Sequence, residues 1–473
     1  MSSISPVAIR AGSTVATCIV VAVLVVTGLS VVESRQASLL FFAAVLVTSI
    51  VVLLVLPVHV LPALALGSIV AIPDRIADFS TSPVVTPATL VLGLWLVRRI
   101  LMRGMATQDA GPLEDQGPGA VRGLRILAIL LGVTMFVLIV VAPVKQFAVG
   151  WTFTYLVAVV GPMMIGRIDS ESQAIRTALP WLGTVAGVYA LVQAAVQKNV
   201  LYLPVYEALG KSDVQHWAVY RSDGSLGHPL LAGLFFAVVL AFCVGRWLET
   251  GRRLVLVAAV VNGLAIVATV SRGSYLAASA GVVTVLLTAL IGRRVRRLRL
   301  LGISASFAVA AYLALNTVAF VERGLSEEAL VSAHTRTGLL RITFDTANAY
   351  HWLGGGPANS LTVAAPFNFQ GLPIENSYLQ LIISLGAPGL LTFLAILATS
   401  AVIAVRNGNL GALGGLVAYA IAISGFAALD SRRNLLVLLG VLIMLCIHGR
   451  PERDRLDDPV LVPANAGSAV TSR

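Results

Sequence analysis

Charge is scarce in this sequence: 12% of its 473 residues are charged, whereas 58% are hydrophobic. Soluble globular proteins do not need so much apolar surface, so the composition excludes that class. The apolar residues form long runs, and roughly 18–20 such residues suffice to cross a bilayer as a helix. These runs are continuous and lack the two-residue alternation of membrane β-barrel strands. The sequence therefore predicts an all-α protein that spans a membrane many times.

Cysteine is also rare, and Cys18, Cys243 and Cys446 all lie in or at the edge of apolar runs. There is no Cys-x-x-Cys and no Cys/His spacing typical of a metal site. Basic–aromatic clusters that would line a nucleic-acid groove are missing too, although the formal charge is +11. The arginines lie between the apolar runs, where membrane orientation places them. We therefore expect no metal ion, no cofactor and no nucleic-acid partner.

Fourteen apolar runs are candidate membrane spans. The first is too long for the apolar region of a signal peptide and lacks an Ala-x-Ala exit, so we expect it to be retained. The third and the last are short, and the third could be re-entrant, so the predicted bundle has about 12–14 spans. The candidate spans are residues 13–31, 38–56, 58–72, 84–101, 124–142, 148–166, 176–197, 229–248, 254–270, 273–291, 298–320, 376–404, 410–429 and 434–449.

Arginine is concentrated in alternate loops, around residues 98–125, 246–253 and 293–299. Loops rich in Lys and Arg face the cytoplasm, so the pattern predicts that both termini are cytoplasmic. Residues 1–450 would form the membrane domain, and the polar tail 451–473 is predicted to be disordered in the cytoplasm.

Two loops are long, and both fall on the predicted extracytoplasmic side, at about 198–228 and 321–375. Within the second, Ser326 is a suitable N-cap, and Glu327 and Glu328 follow in the first turn of a helix. A glycine-rich stretch at 353–360 then ends the helical pattern. We expect one or two short helices over the outer mouth of the bundle.

Ionisable residues at membrane depth are costly and often functional, which draws attention to several arginines on the outer side. Arg272, between two spans, could bind phosphate through its guanidinium or simply reach the interface. Arg221 lies in the first long loop. Arg336 and Arg341 are five residues apart, roughly 500° around a helix, so one could face a cavity. Alternatively, both are exposed on a surface helix.

Two further features of the second loop suggest chemistry. The glycines at 354–356 could present backbone N–H groups to a phosphate, or act as a hinge. Glu375, with Asn376, opens the next span and could accept a proton from a sugar hydroxyl, or cap the helix. Arginines, a carboxylate and a glycine turn on one side of the membrane favour an anionic, phosphate-bearing substrate.

Four motifs occur in order along the chain. They are Arg221, Gly227, Pro229 and Gly233; Ser271-Arg272-Gly273; Arg336, Gly354, Gly356 and Asn359; and Glu375-Asn376-Ser377-Tyr378-Leu379-Gln380 with Leu385-Gly386 and Gly389-Leu390. Together they resemble the O-antigen ligase and O-antigen polymerase superfamily of bacterial membrane glycosyltransferases. One departure concerns the fourth motif, in which the family usually has histidine where this sequence has Glu375.

The resemblance implies a metal-independent, inverting transfer of a glycan from a polyprenyl diphosphate, such as undecaprenyl diphosphate, to a hydroxyl of a glycan or lipid-glycan acceptor. The reaction would take place at the outer face of the bacterial plasma membrane. Catalysis would rest on Glu375 as the base, with Arg272 and Arg336 stabilising the departing diphosphate. Substrate contacts would come from Arg221, Arg341, Asn376, Tyr378, Gly354 and Gly356.

Other functions remain open from the residues alone. A transporter or flippase needs ionisable groups near the middle of its spans, and such groups are nearly absent here. A non-catalytic scaffold for envelope polysaccharide assembly needs none of the chemistry above. Polymerase and ligase share the same donor chemistry and differ in the acceptor, so both fit the motifs.

Overall fold

The computed structural model describes most of the chain between residues 55 and 448. The candidate spans at 13–31 and 298–320, nearly all of 38–56, and the tail 451–473 lie outside the described residues. The backbone alone is described at 103–106 and 327–337. The described residues are 55–73, 76, 86–106, 119–165, 168–208, 219–292, 302, 327–426, 429–430 and 432–448.

The described part of the chain is helical, which confirms the all-α prediction. Each of the eleven candidate spans within it contains a helix. In chain order the helices are α1 (Leu61–Ala71), α2 (Pro87–Ala106), α3 (Gly119–Leu138), α4 (Lys145–Met164), α5 (Asp169–Val196), α6 (Leu203–Ala208), α7 (Pro229–Thr250), α8 (Arg253–Thr269), α9 (Arg272–Ile291), α10 (Glu327–Ala349), α11 (Ser360–Ala364), α12 (Ser377–Asn407), α13 (Leu410–Ala422) and α14 (Asn434–Ile447).

Helix length separates ten of the eleven described candidate spans into two groups, and α2, with 20 residues, is in neither. Within the described residues, six helices (α3, α4, α5, α7, α9 and α12) are long and apolar enough to cross a membrane. Four apolar segments that contain α1, α8, α13 and α14 have only 10–17 residues. Such short helices do not cover the roughly 30 Å of a hydrocarbon core at 1.5 Å per residue. Their ends therefore create places where polar groups can lie below the membrane surface.

Helix α7 is the centre of the bundle, and nearly all of its side chains are buried. Pro229 occupies its first turn and His228 Nδ1 accepts a hydrogen bond from the Leu230 N–H (3.2 Å), so the start is fixed locally. It packs against α5, α8, α9 and α13. A Cβ on Gly245 would overlap the backbone of Gly411 in α13. Glycine at such contacts lets membrane helices approach closely.

Polar contacts between the helices occur at two opposite ends of the bundle. At one end, Glu171 of α5 pairs with Arg99 of α2 (2.6 Å), and Glu249 of α7 lies near Arg176 (3.9 Å) and Arg246 (3.8 Å). Arg99 and Arg246 belong to the segments that charge patterning assigned to the cytoplasm. We call the opposite end, formed by residues 141–144, 197–208, 219–228, 270–271, 350–376, 423–426, 429–430 and 432–433, the loop end.

The long loop before α12 contains one helix of 23 residues, α10, and the five-residue α11. The expected one or two short helices are thus a single longer helix, which begins at Glu327, directly after Ser326. A small apolar cluster separate from the main core holds this loop against the bundle. The buried members of the cluster are Leu339, Val363, Ala364, Ile374 and Ile383.

Candidate active site at the loop end

The first two motifs are joined at the C-terminal end of α8. Arg221 is 4% exposed, and its Nε donates a hydrogen bond to the carbonyl oxygen of Thr269 (3.2 Å). The N–H of Ser222 donates to the carbonyl oxygen of Ala268 (3.0 Å). Arg272 follows Thr269 by three residues and is exposed. The structure therefore brings the backbone segments of both arginines together, as the phosphate-site hypothesis requires.

Ser271 fixes the backbone at Arg272. It is the N-cap of α9, and its Oγ accepts hydrogen bonds from the N–H and the hydroxyl of Ser274 (3.4 and 2.8 Å). Arg272 is the first residue of the helix, where the unpaired N–H groups create a positive potential. The cap formed by Ser271, rather than the Arg272 side chain, thus fixes the start of α9. The Arg272 side chain extends from this fixed backbone position.

The loop that carries Arg221 is anchored by buried polar side chains. Gln193 of α5 donates to Asp223 Oδ1 (2.7 Å), and its Oε1 accepts from Ser222 Oγ (2.7 Å) and the Gly224 N–H (2.8 Å). Gly224 has a φ of 56°, which glycine adopts without strain. Sequence analysis missed Gln193, because nothing in an apolar run marks which amide will face the loop.

The third and fourth motifs are joined by backbone hydrogen bonds. The N–H groups of Gly355 and Gly356 donate to the carbonyl oxygens of Ile383 and Ser384 (both 2.9 Å). In return, the N–H of Ala387 donates to the carbonyl oxygen of Trp352 (2.9 Å). Helix α12 is broken at this point, since Gly386 has a φ of 72° and a ψ of 180°. Residues 354–356, which we call the glycine turn, therefore provide hydrogen bonds to backbone groups that have no partner within the broken helix.

The sequence explains why α12 needs this replacement. Pro388 has no N–H, so the carbonyl of Ser384 cannot find its usual partner four residues later. Irregular backbone within a membrane domain must have its polar groups satisfied by other parts of the protein. The Gly355 and Gly356 N–H groups serve this purpose, so the structure shows a packing function for the turn. The binding of substrate by Gly354 and Gly356 stays a prediction.

Close approach also requires glycine at these positions. Gly354 and Gly356 have φ values of 90° and 111°. A Cβ on Gly354 would lie 2.5 Å from the nitrogen of Gly386, and a Cβ on Gly356 would lie 2.5 Å from the Cβ of Ala142. Asn359 continues the attachment, because it accepts from the Val144 N–H (2.9 Å) and donates to the Val144 carbonyl (3.2 Å).

Helix α12 starts with a side-chain cap. Asn376 Oδ1 accepts hydrogen bonds from the N–H groups of Tyr378 (2.9 Å) and Leu379 (3.3 Å). The Tyr378 hydroxyl donates to the carbonyl oxygen of Ala420 (2.7 Å). Asn376 therefore caps the helix. Glu375 lies directly before the cap and is partly exposed, as a base that must meet its substrate would be.

The segment between α13 and α14 connects the first motif with the fourth. Ser377 Oγ donates to the carbonyl oxygen of Phe426 (2.8 Å) and accepts from the Leu429 N–H (3.2 Å). The ring of Phe426 stacks on that of His228, with centroids 5.3 Å apart. Phe426 and Leu429 of this connection are 7% and 0% exposed, so both are buried in the bundle.

Asp430, in the same segment, is a site residue that sequence reasoning missed. Its Oδ2 accepts hydrogen bonds from the N–H of Ser360 (2.8 Å) and the hydroxyl of Ser384 (2.6 Å). Burial raises the pKa of Asp430, and the hydrogen bonds from Ser360 and Ser384 partly oppose this. A signal was present: Asp430 is the single acidic residue between 376 and 450.

Arg433 adds a positive charge three residues after Asp430. It is 5% exposed, and its guanidinium covers Gly150 of α4, where a Cβ would lie 2.7 Å from Nη1. Burial lowers the pKa of Arg433. Trp151, next to Gly150, donates from Nε1 to the carbonyl oxygen of Leu429 (2.7 Å). Helix α4 thus also contacts the connection between α13 and α14.

No described contact joins Arg336 or Arg341, the two arginines of α10, to these segments. The Arg341 side chain is 88% exposed, and its Nε lies 3.7 Å from the carboxylate of Asp345, one turn later. The Arg336 side chain lies outside the described residues. Roles for both in substrate binding or catalysis stay predictions. Among the described side chains, no three of His, Cys, Asp and Glu cluster as a metal site would require.

Comparisons with known proteins address the family. Among curated proteins, none matches this sequence. Residues 254–394 match the family model described as O-antigen ligase. The matched stretch runs from α8 into α12, and it includes Arg272, Glu375 and the glycine turn but not Arg221 or Asp430. Residues 254–394 thus match an O-antigen ligase domain, which supports the superfamily assignment that the motifs predicted.

Proposed function

We propose that the protein transfers a glycan from a polyprenyl-diphosphate carrier to a hydroxyl of a glycan or lipid-glycan acceptor. The reaction takes place at the loop end, on the outer face of the bacterial plasma membrane. One observation carries the proposal: segments that bear all four family motifs contact one another at this end of the bundle. Within the described residues, the links are Arg221 to Thr269, His228 to Phe426, Phe426 to Ser377, and Gly355 to Ile383.

The proposed chemistry is a single displacement. The acceptor oxygen attacks the anomeric carbon of the donor sugar while the bond from that carbon to the diphosphate oxygen breaks. Glu375 takes the proton of the acceptor hydroxyl, and the diphosphate leaves with the bonding electron pair. Attack from the face opposite the leaving group inverts the configuration at the anomeric carbon.

Arginine supplies the positive charge that the departing diphosphate requires. A guanidinium presents several donors in a plane and binds phosphate oxygens in pairs. Arg272 extends from the first turn of α9, and Arg221 is attached to the neighbouring end of α8. Arg336 is assigned the same function from the family motif. Preorganised donors of this kind stabilise developing charge, so we propose that the reaction needs no metal ion.

The direct test uses the purified protein in lipid nanodiscs with a polyprenyl-diphosphate-linked oligosaccharide and a glycan acceptor. We expect a new glycosidic product by mass spectrometry, with release of polyprenyl diphosphate, and the same rate in the presence of EDTA. Failure to consume the donor would overturn the proposal. Loss of the rate in EDTA would overturn its metal-independent part alone.

Envelope glycans of a deletion strain distinguish the two acceptor classes. A polymerase joins repeat units, so its loss should leave single repeat units on their acceptor. A ligase moves finished polymer, so its loss should leave lipid-linked polymer unused. Normal glycans in both respects would contradict an essential function in envelope polysaccharide assembly.

The break in α12 also suggests a transport function, since broken helices form the substrate sites of many transporters. In this chain, however, the backbone groups at the break are bonded to the glycine turn. Vesicles that contain the protein and labelled lipid-linked oligosaccharide separate the two functions. A flippase would move the label across the bilayer without forming a glycosidic bond.

A further inference from the structure

The first segment of α12, between its N-cap and the break at Gly386, has a buried polar face. Ser377, Gln380 and Ser384 are spaced three and four residues apart, so their side chains share one side of the helix. Each is at most 1% exposed. This face is covered by the connection between α13 and α14, which contains Phe426 and Asp430.

The outer two members of this face have partners in the protein. Ser377 Oγ donates to the carbonyl oxygen of Phe426 (2.8 Å), and Ser384 Oγ donates to Asp430 Oδ2 (2.6 Å). Gln380 lies between them, and its Oε1 is buried without a hydrogen-bond partner. Buried polar atoms nearly always have partners, and one left without a partner destabilises the fold. Its retention here is explained if a ligand completes the hydrogen bond.

We propose that Gln380 Oε1 binds a hydroxyl group of the acceptor glycan. This inference rests on the proposed function and specifies its acceptor site. An amide oxygen can only accept a hydrogen bond, so its ligand must be a donor. A diphosphate offers only acceptor oxygens near neutral pH, whereas a sugar ring offers several hydroxyl donors. The chemistry therefore assigns Gln380 Oε1 to sugar recognition and leaves the diphosphate to the arginines.

The position of Gln380 also suits an acceptor. Its backbone N–H donates to the carbonyl oxygen of Asn376 (3.0 Å), so it lies one turn beyond the residue that follows Glu375. One turn rises about 5.4 Å, which is comparable to the distance across a hexose ring. In this proposal, one hydroxyl of the acceptor binds at Glu375 and another binds at Gln380. A site that hydrogen-bonds a hydroxyl rejects analogues that lack it.

The test varies the acceptor concentration in the transfer assay with Gln380→Met, which keeps the side-chain volume but removes the amide. We expect KM for the acceptor to rise about tenfold, which corresponds to about 1.4 kcal/mol, while KM for the donor stays unchanged. Gln380→Glu retains an acceptor oxygen and should recover part of the loss. One monodeoxy acceptor should lose the same factor with the wild-type protein and nothing further with Gln380→Met.

Ser400→Ala is the matched control. Ser400 lies on the same helix, is fully buried, and its Oγ also has no hydrogen-bond partner. It is twenty residues beyond Gln380, roughly 30 Å along α12, so its substitution should leave KM unchanged. An equal effect of Ser400→Ala on KM would overturn the assignment.

Acceptor binding to the nanodisc protein is measured separately by saturation-transfer NMR, so the result does not depend on turnover. Weaker binding to Gln380→Met supports the inference even if the wild-type protein transfers no glycan, which would refute the proposed function alone. Unchanged acceptor binding and KM, with only the melting temperature altered, would show that Gln380 holds an internal water. A rise in KM for the donor instead would overturn the acceptor assignment.

Discussion

Gly233 of α7 lies against Ser274 of α9 with no space between them for a methyl group. A Cβ on Gly233 would overlap Ser274 Oγ and would lie 3.1 Å from Thr269 Oγ1. The same Ser274 hydroxyl donates to Ser271 Oγ (2.8 Å). The contact with Gly233 of the first motif thus fixes the position of Ser274, which lies beside the second motif. Helix packing therefore holds the start of α9, where Arg272 lies.

Arg272→Ala should abolish glycan transfer while the protein stays folded. The side chain is exposed and the cap of α9 is formed by Ser271, so the start of this helix does not require the guanidinium. Loss of one preorganised donor from a transition state lowers the rate about 10²–10³-fold. The transfer rate and the melting temperature of the purified variant should be measured together.

Arg253→Ala is a suitable control for this substitution. Arg253 is an exposed arginine at the other end of α8, on the arginine-rich side of the bundle. Its removal should leave the rate unchanged, and Arg272→Lys should retain charge but lose paired donors and give an intermediate rate. Full activity of Arg272→Ala would remove the main support for the proposed site.

Glu375→Gln should lower kcat strongly with little effect on KM for the acceptor. The amide keeps the shape of the carboxylate but cannot accept the proton of the hydroxyl. Since Asn376 carries the capping hydrogen bonds, the melting temperature should not change. Steady-state kinetics with purified variants measures both effects.

Glu375→His places at this position the residue that the family usually has, and should restore part of the rate. Imidazole ordinarily titrates near pH 6.5 and is a base only above that value. The rate of this variant should therefore rise as pH increases through about 6.5. A normal rate for Glu375→Gln across neutral pH would exclude Glu375 as the base.

Gly386→Ala should destabilise the loop end. Gly386 has a φ of 72°, and a Cβ there would overlap the carbonyl oxygen of Trp352. The left-handed conformation costs a non-glycine residue about 1–2 kcal/mol, and overpacking adds about 1–3 kcal/mol. Thermal unfolding in detergent should show a clear fall in melting temperature.

Gly371→Ala separates these two costs. Gly371 has a φ of 64°, but no atom lies within 4 Å of a Cβ built there. Gly371→Ala should therefore cost only the strain of the left-handed backbone conformation, about 1–2 kcal/mol of folding free energy. Equal falls in melting temperature for both variants would show that the contact between Gly386 and the glycine turn contributes nothing.

Asp430 should make stability depend on pH. Because burial raises the pKa of Asp430 in the folded protein, the folded state binds this proton more tightly than the unfolded state does. Its contribution to stability is complete below the ordinary value of 3.8 and is lost as pH rises through the higher folded pKa. Relative to Asp430→Asn, the wild-type melting temperature should therefore fall as pH increases.

The variant Asp430→Asn cannot ionise but keeps an oxygen that accepts from the Ser360 N–H and the Ser384 hydroxyl. Asp430→Ala removes this acceptor and should be less stable at every pH, since Ser384 then loses its partner. Melting curves of the three proteins between pH 4 and 8 test both statements. Parallel curves for wild type and Asp430→Asn would contradict the raised pKa.

Much of the fold follows from the sequence. Apolar runs of sufficient length form helices because no other structure satisfies the backbone in lipid, and the eleven described candidate spans show this. The N-caps at Ser271 and Asn376 are likewise local, since each bonds N–H groups within three residues. The glycine turn was predicted as a break, but as a hinge or phosphate cradle rather than as a partner of α12.

Sequence alone determined which apolar segments form helices, which ends carry arginine, and which residues belong to the family motifs. Tertiary structure decided which of these residues meet. Asp430 bonds Ser360 and Ser384, and Gln193 bonds Asp223, across separations of 30–70 residues. A local pattern cannot specify such pairs, because the partner of a buried polar group depends on how close packed helices bring it.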